Sequence, residues 1–214
     1  MFSDEQYNQA CKELLSPQLD EKDGWEYFVE SNDVTIYRLR NETSGLYEYK
    51  IYGYMKDVQP DICAKVYMDT EYRKKWDSYV NELKIEKTLD QEVIYWNINY
   101  PFFMSNRDYV FSRELREIDY ENNKIWVVLA KSATSATFPE QSGVIRVTDY
   151  FQSAALMTDG QSGTKAFMHY YDNPGGMIPT FLINWAAKTG VPQFLTIMQK
   201  ACRGYDDYLQ KASS

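Results

Sequence analysis

Residues 67–77 place one arginine–aspartate pair among aromatic rings. Arg73 and Asp77 are four positions apart, so on a helix they share a face and can pair. A carboxylate that fixes the guanidinium prepares its planar fork for a phosphate and keeps the site near neutral. The pattern therefore favours a binding site for a zwitterion. The alternative is a solvated helix ion pair, which contributes only about 0.3–0.5 kcal/mol to stability.

Aromatic residues make up 16% of the chain, with 19 Tyr, 10 Phe and 5 Trp. Such amphipathic rings often line a concave surface, although an aromatic-rich β core is the simpler alternative. Trp96 lies on the more apolar, and hence inner, face of the strand predicted at residues 93–100. Tyr150 and Gln152 share one face of the strand predicted at 143–155. A ring and an amide two positions apart can contact adjacent parts of one amphipathic ligand.

The charge of the chain argues against nucleic acid as a partner. The net charge is −8 and the isoelectric point is near 4.8, and no basic cluster is longer than Arg73-Lys74-Lys75. Phosphate backbones require a basic stripe. The same acidity repels anionic membranes, so contact with a bilayer is expected to be brief or limited to zwitterionic surface.

The sequence predicts a soluble, cytoplasmic protein. Residues 1–18 are polar and acidic, unlike a signal peptide, and no apolar run approaches the ~20 residues that span a bilayer. The three cysteines, Cys11, Cys63 and Cys202, are an odd number at spacings that match no metal motif, so we expect reduced thiols.

Residues for catalysis are not recognisable in the sequence. The single histidine, His169, has no readable partner, and no Ser-His-Asp arrangement or metal cluster is present. We therefore expect a protein that is not an enzyme and that needs no cofactor or metal.

The elements that must position these residues begin with a helix over residues 3–15, for which Ser3 is a suitable N-cap. A meander of three strands with turns at Asn32-Asp33 and Ser44-Gly45 follows, and then one or two short helices between 57 and 77. Six more strands, with a turn at Asp90-Gln91 among their connections, bring the total to about nine. The predicted strands span residues 25–29, 34–39, 46–54, 80–89, 93–100, 107–114, 124–131, 143–155 and 163–171.

A long helix is predicted over residues 178–209, bent or broken near Gly190 by the following Pro192. The wide apolar face of this helix must pack against another apolar surface. We expect that surface to be the antiparallel sheet, with the terminal helices closing over it. We expect an α+β fold that forms a single domain over residues 1–214. The loop at 132–143 and this helix are the segments expected to open the interior.

Several ordered blocks of the chain resemble the START family of lipid-transfer domains, and the resemblance spans nearly the whole chain. It implies a helix-grip fold, in which a curved antiparallel sheet surrounds one lipid and the C-terminal helix closes the tunnel. It also implies carriage of a phospholipid without catalysis. The blocks are Gly45-Leu-Tyr-Glu-Tyr-Lys50, Tyr67-Met-Asp69, Tyr72-Arg-Lys74 with Trp76-Asp77, Met104-Ser-Asn-Arg-Asp-Tyr109, Ser142-Gly-Val-Ile-Arg-Val147, Asp172-Asn-Pro-Gly-Gly176 and Leu182-Ile-Asn-Trp-Ala-Ala-Lys188.

Carried over by position, the resemblance implies a site for one phosphatidylcholine molecule. Choline has no N–H to donate, so several ring faces must recognise it through cation–π contacts. The implied roles are phosphate binding by Arg73 with Asp77 and Tyr67, choline binding by Trp96, Tyr109 and Tyr150, and contact with the glycerol ester region by Gln152.

The expected function is exchange of this lipid between membranes by a monomer that contacts the membrane surface transiently. A second hypothesis is a lipid-occupancy sensor whose loaded form regulates a partner, such as an acyl-CoA thioesterase. The sequence does not decide between the two.

Overall fold

A computed structural model describes residues 2–19, 23–31, 33–87, 92–102, 104–176 and 178–212. The predicted turn at Asp90-Gln91, the end of the strand before it and Asn32 lie outside these ranges. The helices are α1 (Asp4–Leu15), α2 (Pro60–Met68), α3 (Thr70–Trp76), α4 (Thr180–Trp185), α5 (Val191–Arg203) and α6 (Tyr205–Ala212), with a π-helical turn at Ala186–Gly190. The strands are β1 (Glu26–Ser31), β2 (Val34–Arg40), β3 (Tyr47–Met55), β4 (Val80–Lys87), β5 (Glu92–Ile98), β6 (Arg107–Tyr120), β7 (Asn123–Ser132), β8 (Ile145–Val147), β9 (Tyr150–Thr158) and β10 (Thr164–Asp172).

The strands form one open sheet in the order β1-β2-β3-β10-β9-β7-β6-β5-β4, and neighbours in this order are antiparallel. The predicted antiparallel sheet of about nine strands is confirmed. The strand predicted at 143–155 is divided, however, and its first part, β8, pairs parallel with β6. The division falls before Tyr150, whose N–H bonds to the Ser132 hydroxyl at 2.9 Å instead of continuing a ladder.

Helix α1 covers the outer face of the sheet. Ser3 and Gln6 form a capping box, which satisfies free N–H groups at the start of the helix. The buried side of α1, which includes Tyr7 and Leu14, packs against Val127 of β7 and Phe167 of β10. The helix predicted at 3–15 is thus confirmed, and the outer face of the central strands is a packed core.

The inner face of the sheet is covered by α2, α3 and the C-terminal helices. Met198, Ala201 and Cys202 of α5 pack with α2 and with Leu156 of β9. The break predicted near Gly190 is a π-helical turn, after which Pro192 lies in the first turn of α5, where its missing N–H is tolerated. The space between these helices and the sheet holds the candidate site.

The loop at 132–143, expected to open the interior together with the C-terminal helix, packs through Phe138 on the outer face of the sheet. Phe138, within this loop, packs against Val93, Tyr95 and Val110, which point to the outer face. The connection that meets the C-terminal helix is instead the one between β5 and β6, where Phe102 contacts Phe181 and Trp185.

Candidate ligand-binding site

Three aromatic side chains expected to bind a cationic group are brought together on the inner face. Trp96 on β5 and Tyr109 on β6 are directly paired, with ring centroids 5.8 Å apart. The ring of Tyr150 on β9 lies 5.4 Å from that of Tyr109, edge to face. Tyr109 and Tyr150 are 2% and 5% exposed, so the rings meet away from bulk water. Residues distant in sequence thus form one cluster, which we call the ring box.

Two further rings complete the ring box. Phe111 lies 6.4 Å from Trp96 and 5.5 Å from Tyr150, and Tyr170 on β10 lies 5.9 Å from Tyr150. Neither Phe111 nor Tyr170 was among the site residues expected from the sequence. Phe111 follows Tyr109 by two positions, so strand alternation alone could have placed it on the same face.

The Arg73–Asp77 pair is buried, and the alternative of a solvated helix pair is therefore wrong. The Arg73 Nε donates to Asp77 Oδ2 at 2.9 Å, and the two side chains are 8% and 1% exposed. The guanidinium carbon lies 4.8 Å from the centre of the Trp96 ring and 5.4 Å from that of Tyr67. The ion pair is held at the end of α3, beside the ring box.

Gln152 connects the two halves of the site. Its side-chain amide donates to the Tyr67 hydroxyl, and its carbonyl oxygen accepts from the Tyr150 hydroxyl at 3.3 Å. Tyr67 stacks near the guanidinium of Arg73, whereas Tyr150 belongs to the ring box. All seven residues expected to bind the ligand therefore lie in one continuous network, although their roles toward a ligand stay predictions.

A narrow cavity with about 10 Å³ of free space lies between this network and the helices. Its lining residues are Tyr67, Thr70, Arg73, Leu83, Ile94, Trp96, Phe111, Arg113, Ala130 and Tyr150. Tyr109 and Gln152 support the lining from behind, through Trp96, Tyr150 and Tyr67.

Hydrogen-bond donors without a protein partner are concentrated here. Within the described ranges, four buried side-chain atoms lack a partner, and two of them, Trp96 Nε1 and Arg113 Nε, belong to lining residues. A third, Trp76 Nε1, belongs to a ring 5.5 Å from the Arg73 guanidinium. A buried donor left unpaired costs about 1–3 kcal/mol. Ligand oxygens are the acceptors that such a cavity can receive.

Arg113 is a second guanidinium in the cavity wall that the sequence analysis missed. Its two terminal nitrogens donate to the carbonyls of Tyr67 and Met68 at 2.8 and 2.7 Å, at the C-terminus of α2. Burial lowers the pKa of Arg113, and the nearby charge of Arg73 lowers it further. Two guanidinium groups therefore face the cavity, where Asp77 pairs with Arg73 and the charge of Glu92 acts on Arg113. The unpaired Nε of Arg113 is a donor that an anion on this side can use.

A carboxylate adjoins the opposite side of the ring box. Asp172 Oδ2 accepts hydrogen bonds from the hydroxyls of Tyr109 at 2.7 Å and Tyr170 at 2.9 Å. Burial raises the pKa of Asp172, and the two hydroxyl donors lower it in part. The site thus has a cationic end at Arg73 and an anionic end at Asp172.

His169 lies outside this site. Its Nε2 is 3.0 Å from a carboxylate oxygen of Glu48, and this contact lowers the pKa of Glu48. Across the part of the chain that the structure describes, no group of three or more His, Cys, Asp or Glu side chains is placed to hold a metal ion.

None of the described helices is long and apolar enough to cross a membrane. All three cysteines are free and buried.

Comparison with known proteins identifies relatives over nearly the full chain. The profile of the START domain family matches residues 5–206. The phosphatidylcholine transfer proteins of Mus musculus and Homo sapiens are 53% and 51% identical to this chain over 204 residues, and each alignment covers 95% of both proteins. Among solved structures, human STARD10 superposes with a TM-score of 0.79 at 21% identity, covering 99% of this chain and 84% of that one. At this identity, the structural likeness concerns the fold alone.

Proposed function

The chain belongs to the START domain family, and we propose that it binds one phosphatidylcholine molecule and exchanges it between membranes. One observation carries the proposal. The Arg73 guanidinium, which is hydrogen-bonded to Asp77, lies at one end of the site, and Gln152 links this end through Tyr67 to the ring box. A phosphate and a quaternary ammonium a few bonds apart match these two ends. The names of the relatives that are 51–53% identical support the same lipid.

Each site residue has a role in this proposal. Arg73, oriented by Asp77, binds the phosphate, and Tyr67 lies beside them. Trp96, Tyr109 and Tyr150 surround the choline, and Gln152 contacts the glycerol ester region. The unpaired N–H groups of Trp96 and Arg113 supply further donors for phosphate or ester oxygens.

The energetics explain why a carrier is needed. Two acyl chains contain some thirty methylenes, and exposing each to water costs about 0.8 kcal/mol, or roughly 25 kcal/mol in all. Spontaneous desorption from a bilayer is therefore slow. A carrier lowers the barrier by offering an apolar interior, while net transfer between similar membranes stays nearly thermoneutral.

The helices over the cavity must move to admit this lipid. The cavity has only about 10 Å³ of free space, which is room for about one water molecule and far too little for a two-chain phospholipid. Tyr72 and Tyr205 anchor the C-terminal end of α5 and the start of α6 through hydrogen bonds to the Ala201 carbonyl and the Asp69 carboxylate, both 2.9 Å. The α4 end has no comparable anchor that the structure describes, so we propose that α4 swings outward.

Two features of the backbone suit this motion. Gly175 and Gly176, which precede α4, have φ of +62° and +66°, a conformation that favours glycine. The π-helical turn at Ala186–Gly190 interrupts regular hydrogen bonding between α4 and α5. The hinge therefore lies at one or both of these positions.

We place the membrane contact at an exposed aromatic patch formed by Phe102, Phe181 and Trp185. Phe102 and Phe181 are 53% and 57% exposed and touch each other, with ring centroids 5.5 Å apart. Aromatic side chains are favoured at membrane–water interfaces. The patch joins the β5–β6 connection to α4, so one contact can engage the bilayer and release the helix.

We further propose that residues 1–214 act as one domain, as a monomer in the cytoplasm, and without a catalytic step. The family profile over residues 5–206 supports a single unit, and three free cysteines suit a reducing compartment. The relatives are named as transfer proteins. Those names do not favour the alternative of a sensor that regulates an acyl-CoA thioesterase.

Native mass spectrometry after incubation with mixed phospholipid vesicles tests the proposed function. The expected result is one adduct with the mass of phosphatidylcholine. Protein that stays empty, or that carries several phospholipid classes in proportion to their abundance, would contradict it.

A further inference from the structure

Asp172 is a carboxylate in the ring box without a cationic partner. It lies directly opposite Tyr150 in the β9–β10 pairing, so both side chains are on the inner face. Its only hydrogen-bond donors among the described side chains are the hydroxyls of Tyr109 and Tyr170. No lysine, arginine or histidine in the described ranges forms an ion pair with it.

The neighbouring charges do not neutralise Asp172. Arg107 is the nearby cation, but its guanidinium donates to three backbone carbonyls, those of Ser105, Pro174 and Gly175, and lies 4.3 Å from the centre of the Tyr100 ring. The charge of Arg107 lowers the pKa of Asp172, whereas the exposed Asp149 raises it. The largest influence is burial, which raises this pKa by disfavouring the charged form.

The other groups that face Asp172 are tyrosines on every surrounding element. Burial raises the pKa of each phenol and the charge of Asp172 raises it further, so all of them are neutral at neutral pH. They are Tyr49 on β3, Tyr100 in the β5–β6 connection, Tyr109 on β6, Tyr150 on β9 and Tyr170 on β10. A negative charge beside a cluster of electron-rich rings creates a potential that attracts a cation.

We propose that Asp172 is the fixed counter-charge for the quaternary ammonium group of the bound lipid and thereby determines specificity for cationic head groups. The inference rests on the proposed function and extends it. Because a quaternary ammonium cannot donate a hydrogen bond, it can be attracted only through its charge and its apolar surface. Asp172 supplies the charge, and by holding the hydroxyls of Tyr109 and Tyr170 it also fixes the orientation of two rings.

This arrangement has a consequence for stability. Asp172 is half-buried. A half-buried carboxylate without a cation is unfavourable in the protein alone, and the arriving ammonium relieves the penalty. Replacing Asp172 by Asn should therefore leave the unliganded protein at least as stable as the wild type, because the amide oxygen still accepts from the tyrosine hydroxyls. A residue with a purely structural role would instead lower the melting temperature when replaced.

The decisive experiment compares two lipids with identical acyl chains. One is phosphatidylcholine, and the other is its 3,3-dimethylbutyl analogue, in which an uncharged carbon replaces the ammonium nitrogen. Binding of each from vesicles is measured for the wild type and for Asp172→Asn. We expect the wild type to prefer the choline lipid and the substitution to reduce that preference about tenfold, the effect of one partly buried charge. An unchanged preference, or equal losses for both lipids, would overturn the counter-charge role.

The matched control is Asp149→Asn, which removes a nearby exposed carboxylate and should leave the preference unchanged. Should Asp172→Asn fail to fold, the pH profile of the wild type decides the question alone. Because the pKa of Asp172 is raised, its charge is lost early as the pH falls, and the preference for choline should decline with it. A preference that is flat with pH in the wild type would overturn the inference.

These outcomes separate the inference from the proposed function. Wild-type protein that binds neither lipid would overturn both. Wild-type protein that binds phosphatidylcholine but does not distinguish it from the uncharged analogue would leave the carrier function intact and overturn the role of Asp172.

Discussion

At the scale of single residues, the cavity combines groups that are costly to bury unless a ligand completes them. Arg73 and Arg113 both line the cavity, but only Arg73 forms an ion pair, with Asp77, and the N–H of Trp96 has no partner among the described residues. On the other side, the charge of Asp172 is met only by hydroxyls. A zwitterionic head group satisfies both ends at once, because its anion and its cation meet opposite charges.

Replacing Arg73 by Ala is expected to abolish phosphatidylcholine transfer, because it removes the guanidinium that binds the phosphate. It also leaves Asp77 buried without its partner, which typically destabilises a protein by about 3–5 kcal/mol. Arg73→Lys separates the two effects, since it keeps the charge but loses the planar fork. We expect Arg73→Lys to fold and to slow transfer roughly tenfold, as measured with fluorescent lipid between vesicles.

The control for this experiment is Lys74→Ala. Lys74 is adjacent on α3, but its side chain is exposed and pairs with Glu71 at the surface. Its removal should leave transfer unchanged. Wild-type transfer by Arg73→Lys would show that bidentate phosphate binding is not required.

Replacing Trp96 or Tyr109 by Ala should weaken binding of choline lipids more than binding of ethanolamine lipids. Each cation–π contact contributes about 0.5–2 kcal/mol, so the ratio of the two affinities should change by roughly 2- to 30-fold. Competitive loading from vesicles followed by lipid mass analysis measures this ratio directly. Tyr27→Ala, at an exposed tyrosine on β1, is the control. Equal losses for both lipid classes would argue against the ring box.

At the scale of elements, the two ends of the C-terminal helical segment have different attachments. The α5–α6 end is tied to α3 by Tyr72 and to the residue before α3 by Tyr205. At the other end, Phe181 of α4 contacts Phe102 at the surface, Leu182 is buried, and Ala187 in the π-helical turn packs on Val34 and Ile36 of β2. Among the described residues, opening at the α4 end breaks no tyrosine hydrogen bond like those that hold the α5–α6 end.

Replacing both Phe102 and Phe181 by Ser should slow transfer between vesicles without weakening phosphatidylcholine binding. The exposed rings are expected to enter the membrane interface, where each contributes favourable burial, but they do not line the cavity. Transfer rate and vesicle co-sedimentation measure the effect. Tyr54→Ser, at an exposed tyrosine of β3, serves as the control. A transfer rate equal to that of the wild type would exclude the patch as the membrane contact.

At the scale of the whole molecule, the net charge of −8 opposes binding to anionic membranes. The aromatic patch offers an apolar contact that does not depend on charge attraction. A carrier of this kind touches zwitterionic membranes briefly and leaves them again, which is what repeated exchange requires.

Adding phosphatidylserine to acceptor vesicles should therefore slow transfer, and raising the salt concentration should restore it. Screening is the reason, because the Debye length falls from about 10 Å at 0.1 M salt to about 3 Å at 1 M. Transfer rates to vesicles with and without the anionic lipid, at both salt concentrations, give the answer. Faster transfer to anionic vesicles would point to a local basic surface that dominates the contact.

Features that depend on neighbours along the chain were predictable from the amino-acid sequence. The spacing of Arg73 and Asp77 predicted their pairing, and strand alternation placed Trp96, Tyr150 and Gln152 on the inner face. The capped first helix and most of the strands followed from the same local rules. These features are set by helix and strand geometry, which acts over a few residues.

Contacts between distant segments could not be read from local spacing. The spacing of Arg73 and Asp77 left open whether the pair lies at the surface or in a site, and it is buried because β5 and α5 bring Trp96 and Phe194 against the guanidinium. Asp172 joins Tyr109 across 63 positions in the chain only because β10 and β9 lie beside β7 and β6 in the sheet. Such contacts form because they belong to the arrangement with the most favourable packing over the whole domain. The spacing of residues along the chain carries no information about that arrangement.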